Sequence, residues 1–257
     1  MKISIITASY NSGATLRDTL ESVLSQSHSD WEHIVIDGAS IDNSVEIIRE
    51  LEPRYKGRLK WISEPDNGMY DAMNKGIAMA EGDVIGILNS DDFYTDSKVL
   101  HRIAEAMADT NLDAVFGDIH FIDHHDRGTC VRYYSSRFFR RWMMILGYQP
   151  AHPSFYCRRE CFDRYGHFDT HIRLASDFEF MLRLIYVNRI RTRYLPLDFV
   201  TMRTGGASTM GIRSHRKIVA DHYRAYHRHG LYLGYLFDLA RYPFKTAILI
   251  KRKLIGR

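Results

Sequence analysis

Hydrophobic and polar residues follow each other along the first 110 positions in a pattern that predicts strands and helices in turn. Short apolar runs predict four strands, at residues 3–6, 33–36, 59–62 and 84–88. Apolar residues recurring every three or four positions predict four helices, at residues 16–24, 45–51, 69–80 and 99–107. This order implies right-handed crossovers, so we expect an α/β fold with a largely parallel central sheet and helices on both faces.

The pattern changes after residue 110. It predicts a fifth strand at 114–117, a turn at 126–128 with a returning strand at 129–134, and a helix at 177–186. Segment 137–146 mixes aromatic and basic residues. That mixture is typical of a partly exposed helix or loop near a substrate entrance, and equally of an amphipathic helix with solvated arginines.

Composition and charge divide the chain into a body and a tail. With 257 residues and 45% hydrophobic side chains, the chain can bury a large core. The net charge of +4 is uneven: residues 212–257 hold eleven Lys/Arg and two Asp, or +9, which leaves −5 for the first 211. We therefore predict one domain over residues 1–211 and a basic, amphipathic helical appendage over residues 212–257.

The tail favours a peripheral position at the cytoplasmic face of a membrane. Its interleaved basic and apolar residues are typical of an anchor on an anionic lipid surface, although docking onto another protein stays open. No groove-reading motif points to nucleic acid. No apolar run approaches the roughly 20 residues that a membrane span needs, and the three cysteines, which form no C-x-x-C pair, suit a reducing compartment as small buried residues.

Polar residues follow each of the four predicted strands, at 7–11, 37–40, 64–68 and 89–92. The carboxyl ends of parallel strands lie at one edge of a sheet, where ligands of such folds bind. Turn chemistry also favours Asn, Asp, Ser and Gly at strand ends, so a single loop of this kind would be weak support. The four loops together predict a binding site.

Asp91 and Asp92 are adjacent carboxylates at the end of an apolar strand. Without a neighbouring His or Cys cluster they favour a hard cation, Mg²⁺ or Mn²⁺, with phosphate oxygens and water as its other ligands. A nucleoside diphosphate is the natural partner, and Asp37 could accept a base N–H while residues 7–11 support base and ribose. The alternative for the pair is an Asx turn, or a cap for a helix beginning near Ser97.

Other phosphate-binding classes lack their motifs here. The chain has no G-x-x-x-x-G-K-[ST] loop and no G-x-G-x-x-G after its first strand. A sugar nucleotidyltransferase would need a glycine-rich loop with a basic residue at that point. The sequence at residues 8–12, ASYNS, suits a base better than a triphosphate.

Four motifs in order resemble glycosyltransferase family 2: TASYN at 7–11, IDGAS at 36–40, EPDNGMYDAMNKG at 64–76 and LNSDD at 88–92. The resemblance is to inverting nucleotide-sugar transferases of the GT-A fold, and in particular to bacterial enzymes that build surface polysaccharides. It covers the first 100 residues closely and continues in patches to about residue 211. Ile41 and Asn43 depart from the small residues frequent in the second motif.

The resemblance implies roles for the residues of these motifs. Asp92 would bind the divalent ion, and Asp91 would face the donor ribose or sugar beside it. The base and ribose pocket would be formed by Thr7, Ala8, Tyr10 and Asp37, completed by Asp66 and Lys75. Taken alone, Lys75 would be a solvated lysine on the predicted helix 69–80.

Inverting transfer needs a base across the sugar from the metal, and Asp177 is the candidate. From the residues alone, Ser176 and Glu179 fit a capping box at a helix start, with Asp177 merely favourable in the first turn. The resemblance implies the catalytic role, because the family's catalytic aspartate precedes a helix in a similar context. A helix start could also fix the position of such a base.

Two further segments are candidates for the acceptor side or a lid. The resemblance implies that His152 contacts acceptor or donor phosphate, although a lone histidine is as often structural. The loop at 204–209, with Gly205, Gly206 and Ser208, has the composition of a mobile lid or of a plain connector. Seven further histidines lack metal spacing, and we interpret them as surface residues: His120, His124, His125, His215, His222, His227 and His229.

The sequence thus predicts a transferase that moves a sugar from a nucleotide donor, a UDP-sugar in the simplest case, to a lipid-linked saccharide. A divalent metal is the expected cofactor. A sugar nucleotidyltransferase and a non-catalytic nucleotide-binding membrane scaffold are the two alternatives.

Overall fold

The computed structural model describes residues 1–123, 129–204, 212–234 and 236, with side chains from residue 217 onward in the last helix. The described strands are β1 Ile3–Ser9, β2 Trp31–Asp37, β3 Leu59–Ser63, β4 Val84–Ile87, β5 Phe93–Tyr94, β6 Ala114–Ile122, β7 Cys130–Tyr134, β8 Tyr156–Arg158 and β9 Thr192–Arg203. The α-helices are α1 Leu16–Leu24, α2 Ser44–Leu51, α3 Met69–Met79, α4 Val99–Met107, α5 Arg159–Tyr165, α6 Ser176–Met181 and α7 Ile212–Arg228. Short 3₁₀ helices lie at Glu52–Tyr55, Arg141–Leu146 and His152–Ser154, and a π-helical turn at Leu182–Val187.

The strands form one mixed sheet in the order β3-β2-β1-β4-β8-β6-β9-β5, with β7 paired to β6. The first four strands are parallel, as the alternation predicted. The second half is mixed: β8 runs antiparallel to β4 and β6, whereas β6 and β9 are parallel to each other. The α/β fold is therefore confirmed. The four adjacent strands that are all parallel come from the first hundred residues.

Two apolar layers enclose the sheet. Helices α1, α2 and α4 cover one face with Leu20, Ile48 and Ile103, each fully buried. Helices α3 and α6 cover the other face, where Met73 and Phe178 pack in the second cluster. Helices therefore lie on both faces, as expected for right-handed crossovers.

The junction between the two halves of the sheet depends on a glycine. A Cβ atom on Gly86 of β4 would lie 2.0 Å from the Tyr156 ring of β8. The Tyr156 hydroxyl lies 2.5 Å from that of Tyr94 on β5, inside the core. A bare backbone at Gly86 lets this ring lie against β4, so the mixed half of the sheet is joined directly to the parallel half.

Several local predictions need correction. The predicted capping box at Ser176 and Glu179 is wrong: Ala175 is the N-cap, no side chain caps α6, and Glu179 pairs with Arg183 instead. The predicted helix 177–186 changes to a π-helical turn at Leu182. The turn predicted at 126–128 lies outside the described residues.

The histidines and cysteines also differ in part from expectation. His120, His222 and His229 are not surface residues, since they are largely buried against Asp198, Phe178 and Glu179, respectively. Cys157 and Cys161 are buried as expected, but Cys130 is exposed. Among the described residues, no helix is both long and apolar enough to cross a bilayer.

Candidate active site

The loops after β1, β2, β3 and β4 meet at one edge of the sheet, as predicted. Asn11 and Ala39 both have left-handed backbone conformations, with φ of 48° and 59°. The two loops are joined by hydrogen bonds, from the Asn11 amide to Ser40 Oγ at 2.8 Å and from the Ile41 amide to Asn11 Oδ1 at 2.9 Å. Such a backbone persists only where its surroundings hold it, so the loops form a fixed rim.

Tyr10, Gly38 and Asp66 form an open recess on this rim. The Tyr10 ring is 65% exposed. A Cβ atom on Gly38 would lie 2.5 Å from Asp66 Oδ2 and 3.3 Å from the Tyr10 ring, so both side chains lie directly over this glycine. An exposed ring beside a carboxylate acceptor is suited to stacking on a base and accepting its N–H.

Asp37 lies beneath the recess and is fully buried. Its carboxylate accepts hydrogen bonds from the Ser40 amide at 2.9 Å, the Ser40 hydroxyl at 2.5 Å and the Ser63 hydroxyl at 2.7 Å. Within the described structure Asp37 therefore holds the β2 and β3 loops together, and Asp66 is the carboxylate on the open side.

Three other predicted donor residues also lie close to the rim. Thr7 is buried in β1, and its hydroxyl donates to the Leu88 carbonyl at 2.7 Å. Ala8 is the next residue of β1 and is partly exposed. Lys75 donates to Glu64 Oε1 at 2.7 Å and to the Pro65 carbonyl at 3.0 Å, so it fixes the loop that carries Asp66.

Asp92 is fully buried at the end of β4, and one of its oxygens lacks a partner. Oδ2 accepts a hydrogen bond from Asn89 Nδ2 at 2.8 Å, whereas Oδ1 is buried with no partner among the described residues. Burial and the neighbouring charge of Asp91 raise the pKa of Asp92 well above its usual range. Asp91 itself is partly exposed.

The alternative that Asp91 and Asp92 cap the next helix is wrong. Lys98 is the N-cap of α4, and its backbone amide donates a hydrogen bond to Asp96.

A divalent cation fits this pair of carboxylates. The unpartnered Asp92 Oδ1 and the partly exposed Asp91 offer oxygen ligands of the type that Mg²⁺ and Mn²⁺ prefer. The described residues contain no group of three or more His, Cys, Asp or Glu side chains that could hold a metal alone. A cation here would thus need further oxygens, from phosphate or water, which is the usual situation of Mg²⁺ beside a nucleotide.

Asp177 lies at the start of α6 with 15% of its side chain exposed. Tyr70 donates a hydrogen bond to Oδ1 at 3.0 Å, and Gln149 Nε2 donates to Oδ2 at 3.0 Å. Burial and the charge of Asp177 raise the pKa of Tyr70 well above its usual range, so the phenol stays protonated and keeps donating. The carboxylate is therefore fixed by two side chains from α3 and from the loop before β8.

His152 connects Asp177 to the Asp92 side of the site. Asn89 Nδ2, which also donates to Asp92, lies 3.2 Å from His152 Nε2, and His152 Nδ1 lies 3.6 Å from Asp177 Oδ2. Burial lowers the pKa of His152, and the charges of Asp177 and Asp91 offset this only in part. The ring is therefore neutral near pH 7, accepting at Nε2 and carrying its proton at Nδ1 toward Asp177.

A cleft of about 320 Å³ opens from Asp177 and His152 on the side away from the base recess. Most of its walls are apolar, from Phe121, Tyr134 and Phe178 among others. The Arg132 guanidinium lies in the cleft, 5.3 Å from the centre of the Phe121 ring and 5.8 Å from that of Tyr134. The cleft thus offers one cation in a largely apolar setting.

Four residues of the site escaped the sequence-based predictions. Tyr70 lies inside a motif that was interpreted for Lys75, and Gln149 begins the segment 149–154 that was interpreted for His152. Arg203 is buried at the end of β9, where it pairs with Asp18 and donates to the Asp91 carbonyl. Arg132 belongs to β7. The predicted lid residues Gly205, Gly206 and Ser208 lie outside the described residues.

The fold and the arrangement of the site define a GT-A glycosyltransferase. The model of the family described as glycosyl transferase family 2 matches residues 4–181, well over half of the chain, and the chain belongs to that family. An uncharacterized glycosyltransferase from Mycobacterium tuberculosis strain H37Rv is 32% identical over 232 residues, which cover 84% of this chain and 78% of the relative.

Solved structures share the fold. Residues 1–349 of S. aureus TarS in complex with UDP-GlcNAc superpose with a TM-score of 0.68 at 18% identity, covering 86% of this chain and 66% of that one. The mannosyltransferase PcManGT from Pyrobaculum calidifontis, in complex with GDP-Man and Mn²⁺, has a TM-score of 0.66 at 16% identity and coverage of 95% and 75%. An uncharacterized Nostoc glycosyltransferase is 35% identical over 127 residues, which cover 49% of this chain and 39% of that relative.

Proposed function

We propose that the protein is a metal-dependent, inverting glycosyltransferase that moves a sugar from a UDP-sugar to a hydroxyl of a lipid-linked saccharide, in bacterial surface polysaccharide synthesis. The observation that carries the proposal is the link between two carboxylate centres. Asp92 and Asp177 lie at opposite ends of the chain of contacts through Asn89 and His152. That arrangement suits a leaving diphosphate on one side of a sugar and an attacking hydroxyl on the other.

The donor would lie along the rim from the base recess to Asp91. Tyr10 would stack on the base and Asp66 would accept its N–H, while Thr7, Asp37 and Lys75 hold the loops beneath them. Ala8 on β1 would line the ribose part of this pocket, and Asp91 would face the ribose or sugar. UDP is favoured as the nucleotide because a neighbour in fold binds UDP-GlcNAc, although another binds GDP-Man.

Asp92, together with Asp91, would hold a divalent cation against the donor diphosphate. Bound there, Mn²⁺ or Mg²⁺ supplies Lewis-acid stabilisation of the charge on the departing nucleoside diphosphate. The buried Arg203 beside Asp91 would add positive charge on the same side. The presence of Mn²⁺ in the PcManGT complex is consistent with this use of a metal in the same fold.

Asp177 would act as the general base for the acceptor. As the acceptor oxygen attacks the anomeric carbon, its proton passes to the Asp177 carboxylate, and the bond from that carbon to the diphosphate oxygen breaks. Attack from the side opposite the leaving group inverts the anomeric configuration. Tyr70 and Gln149 would keep the carboxylate in position for this transfer, and neutral His152 would complete the wall.

The cleft beyond Asp177 would receive the acceptor. Its apolar walls and the single Arg132 suit a saccharide joined to a lipid through phosphate, since the guanidinium can bind phosphate while the apolar side chains cover the lipid-proximal part. The loop with Gly205, Gly206 and Ser208 would close over the donor. Residues 212–257 would hold the protein on the anionic cytoplasmic face of the membrane, where such acceptors are reached.

The proposal is tested by nucleotide release from a panel of UDP- and GDP-sugars, with Mn²⁺ and with EDTA. We expect release from one or more UDP-sugars that stops in EDTA, and NMR of the released sugar should show the inverted configuration at early times. Release that is equal in EDTA would contradict metal dependence. Release of diphosphate from a nucleoside triphosphate and a sugar phosphate would instead favour a nucleotidyltransferase, and no turnover with any donor would favour a scaffold.

A further inference from the structure

A group of cationic and aromatic side chains lies on the surface at residues 137–142, which follow β7 and enter the 3₁₀ helix Arg141–Leu146. Its members, here called the arginine–aromatic patch, are Arg137, Phe138, Arg140, Arg141 and Trp142. Phe138 is 75% exposed and Trp142 is 59% exposed, which is unusual for such large apolar rings. These side chains are exposed to solvent, and none of them takes part in the contacts described for the candidate active site.

The exposure of these side chains is imposed by the residues on either side. Phe139 turns inward and packs edge-on against Phe116, with ring centres 5.6 Å apart. Met144 is fully buried, and its carbonyl accepts a hydrogen bond from Tyr226 at 2.7 Å. Because the segment is held at both points, Arg140, Arg141 and Trp142 between them cannot turn into the core.

A second exposed apolar group lies next to this segment. The residues after α7 pack on the same 3₁₀ helix, since a Cβ atom on Gly234 would lie 3.4 Å from Ile145 Cγ2. Tyr232, Leu233 and Leu236 are each at least 60% exposed there. Exposed apolar side chains therefore occur on two neighbouring segments, which is typical of an interaction surface.

The charge of this surface is positive without compensation. Residues 129–149 contain four arginines and no Asp or Glu. Within the described parts of the chain, the guanidinium groups of Arg137, Arg140 and Arg141 form no ion pair; Arg140 donates only to the neighbouring Phe139 carbonyl, at 2.9 Å. Three unpaired guanidinium groups beside exposed rings complement a surface of phosphates over an apolar layer.

We propose that the arginine–aromatic patch binds the headgroup layer of an anionic phospholipid membrane. The arginines would pair with lipid phosphates, and Trp142 and Phe138 would enter the boundary between headgroups and acyl chains, where aromatic side chains are enriched. The same stretch of chain connects Tyr134 to Gln149, both of which line the acceptor cleft. Resting on the proposed function, this contact would turn the cleft toward the leaflet that carries a lipid-linked acceptor.

The test is co-sedimentation of the full chain with phosphatidylcholine vesicles that contain about one third phosphatidylglycerol, compared with pure phosphatidylcholine. Each arginine near such a leaflet contributes close to a factor of five in binding, so the triple variant R137Q/R140Q/R141Q should bind about one hundred-fold more weakly. The double variant F138S/W142S should also bind more weakly, and its loss should persist at high salt, because it removes apolar rather than charged contacts.

A matched variant controls for net charge. R49Q/R102Q/R164Q removes three exposed arginines from α2, α4 and α5 and leaves the patch intact, so it should bind vesicles within a few-fold of the wild type. Circular dichroism melting verifies that each variant is folded. All variants keep residues 212–257, so any contribution of the tail is common to them.

Equal vesicle binding by the two triple-arginine variants would overturn the proposal, as would binding of the wild type to neutral and anionic vesicles alike. Loss of self-association in R137Q/R140Q/R141Q, seen by light scattering without any vesicle binding by the wild type, would assign the patch to a protein partner and also overturn it. The assay needs no donor and no metal. A failure of the transferase proposal therefore leaves the vesicle result interpretable, and the reverse also holds.

Discussion

Asp92 illustrates at the scale of one residue how a ligand site costs stability. Its carboxylate is fully buried, and Oδ1 has no partner within the described residues. An unpaired buried carboxylate is costly, and here burial raises the pKa well above the usual range. A chain selected for stability alone would place an amide or an apolar side chain at this position, so the carboxylate points to a bound cation.

We predict that Asp92→Asn raises the melting temperature of the metal-free protein and removes metal-dependent donor binding. The unfolded chain loses the Asp92 proton at a lower pH than the folded chain does, so the wild type loses stability as the pH rises above about 4. The advantage of the variant should therefore grow with pH. Differential scanning calorimetry in EDTA measures it, with Asp163→Asn on the exposed side of α5 as control; a melting temperature below that of the wild type would contradict the interpretation.

Gly38 tests the base recess without touching the metal. A Cβ atom there would lie 2.5 Å from Asp66 Oδ2 and 3.3 Å from the Tyr10 ring, both on the open side of the protein. We predict that Gly38→Ala weakens UDP binding about tenfold by displacing these side chains, while the melting temperature changes little. Isothermal titration calorimetry measures the affinity. Unchanged UDP affinity would mean that the nucleotide binds elsewhere.

At the scale of elements, the amino-terminal edge of the sheet is held by charge. Glu32 on β2 forms ion pairs with Lys2, next to β1, and with Lys60 on β3, each at 3.0 Å. Burial alone would raise the pKa of Glu32, but hydrogen bonds from Ser4 and the Glu81 amide, together with the two lysines, lower it to about 2. The cluster fastens the parallel strands at the edge opposite the active site.

We predict that Glu32 stabilises the fold at neutral pH and that this stabilisation is lost on acidification. Because the folded pKa is depressed, the contribution is complete above the unfolded value of about 4.5 and disappears as the pH falls toward 2. The lowered pKa corresponds to roughly 3 kcal/mol. Glu32→Gln should lower the free energy of urea unfolding at pH 7 and flatten its fall between pH 4.5 and pH 2; a parallel fall in both proteins would refute the assignment.

The sequence predicted the parallel half of the sheet well and the mixed half poorly. The observed ends of helix α4 and strand β4 lie within one residue of the predicted ends. A helical apolar period identifies α4, and a continuous apolar run identifies β4. Strands β5 and β8 have only two and three residues, too few for a period, and β9 has no clear alternation. Their pairing depends on contacts distant in sequence, such as Tyr156 against Gly86.

The presence or absence of a local sequence signal also explains which site residues were predicted from the sequence. Asp91, Asp92 and the loops after the parallel strands carry motifs, so their position at one edge followed from topology. Tyr70 and Gln149 lie in segments that were interpreted for other residues, and Arg203 carries no motif. Each holds another group in the structure, which many residue types can do. Asp177 was ambiguous between a helix start and a base; α6 has no side-chain cap, but Asp177 does lie in its first turn, so the role of base stays a prediction.

At the scale of the whole molecule, the residues proposed for the donor side follow the parallel strands, and those proposed for the acceptor side belong to the mixed half. Asp91 and Asp92 lie in the loop between β4 and β5, whereas Arg132, Gln149 and Asp177 come from the mixed half and the segments around it. A ligand that bridges the two should stabilise the complete fold. The two halves are in direct contact at Gly86 and Tyr156.

We predict that UDP raises the melting temperature in the presence of Mn²⁺ and does so only weakly in EDTA. At a concentration of about one hundred times its dissociation constant a ligand adds about 2.7 kcal/mol, or roughly 5 to 10 °C for a chain of this size. Uridine, which lacks the diphosphate, should give a small shift that Mn²⁺ does not change. Equal shifts for UDP with and without metal would show that the diphosphate is not held through a cation.

The most direct test of the account is nucleotide release by Asp177→Asn, measured beside its UDP affinity. With the UDP-sugar identified by the donor panel, we predict that kcat falls at least about one hundred-fold, the usual contribution of a general base. The dissociation constant for UDP with Mn²⁺ should stay within about twofold of the wild type, because the proposed function puts Asp177 across the sugar from the diphosphate. Turnover close to that of the wild type would contradict the role of Asp177 as the base.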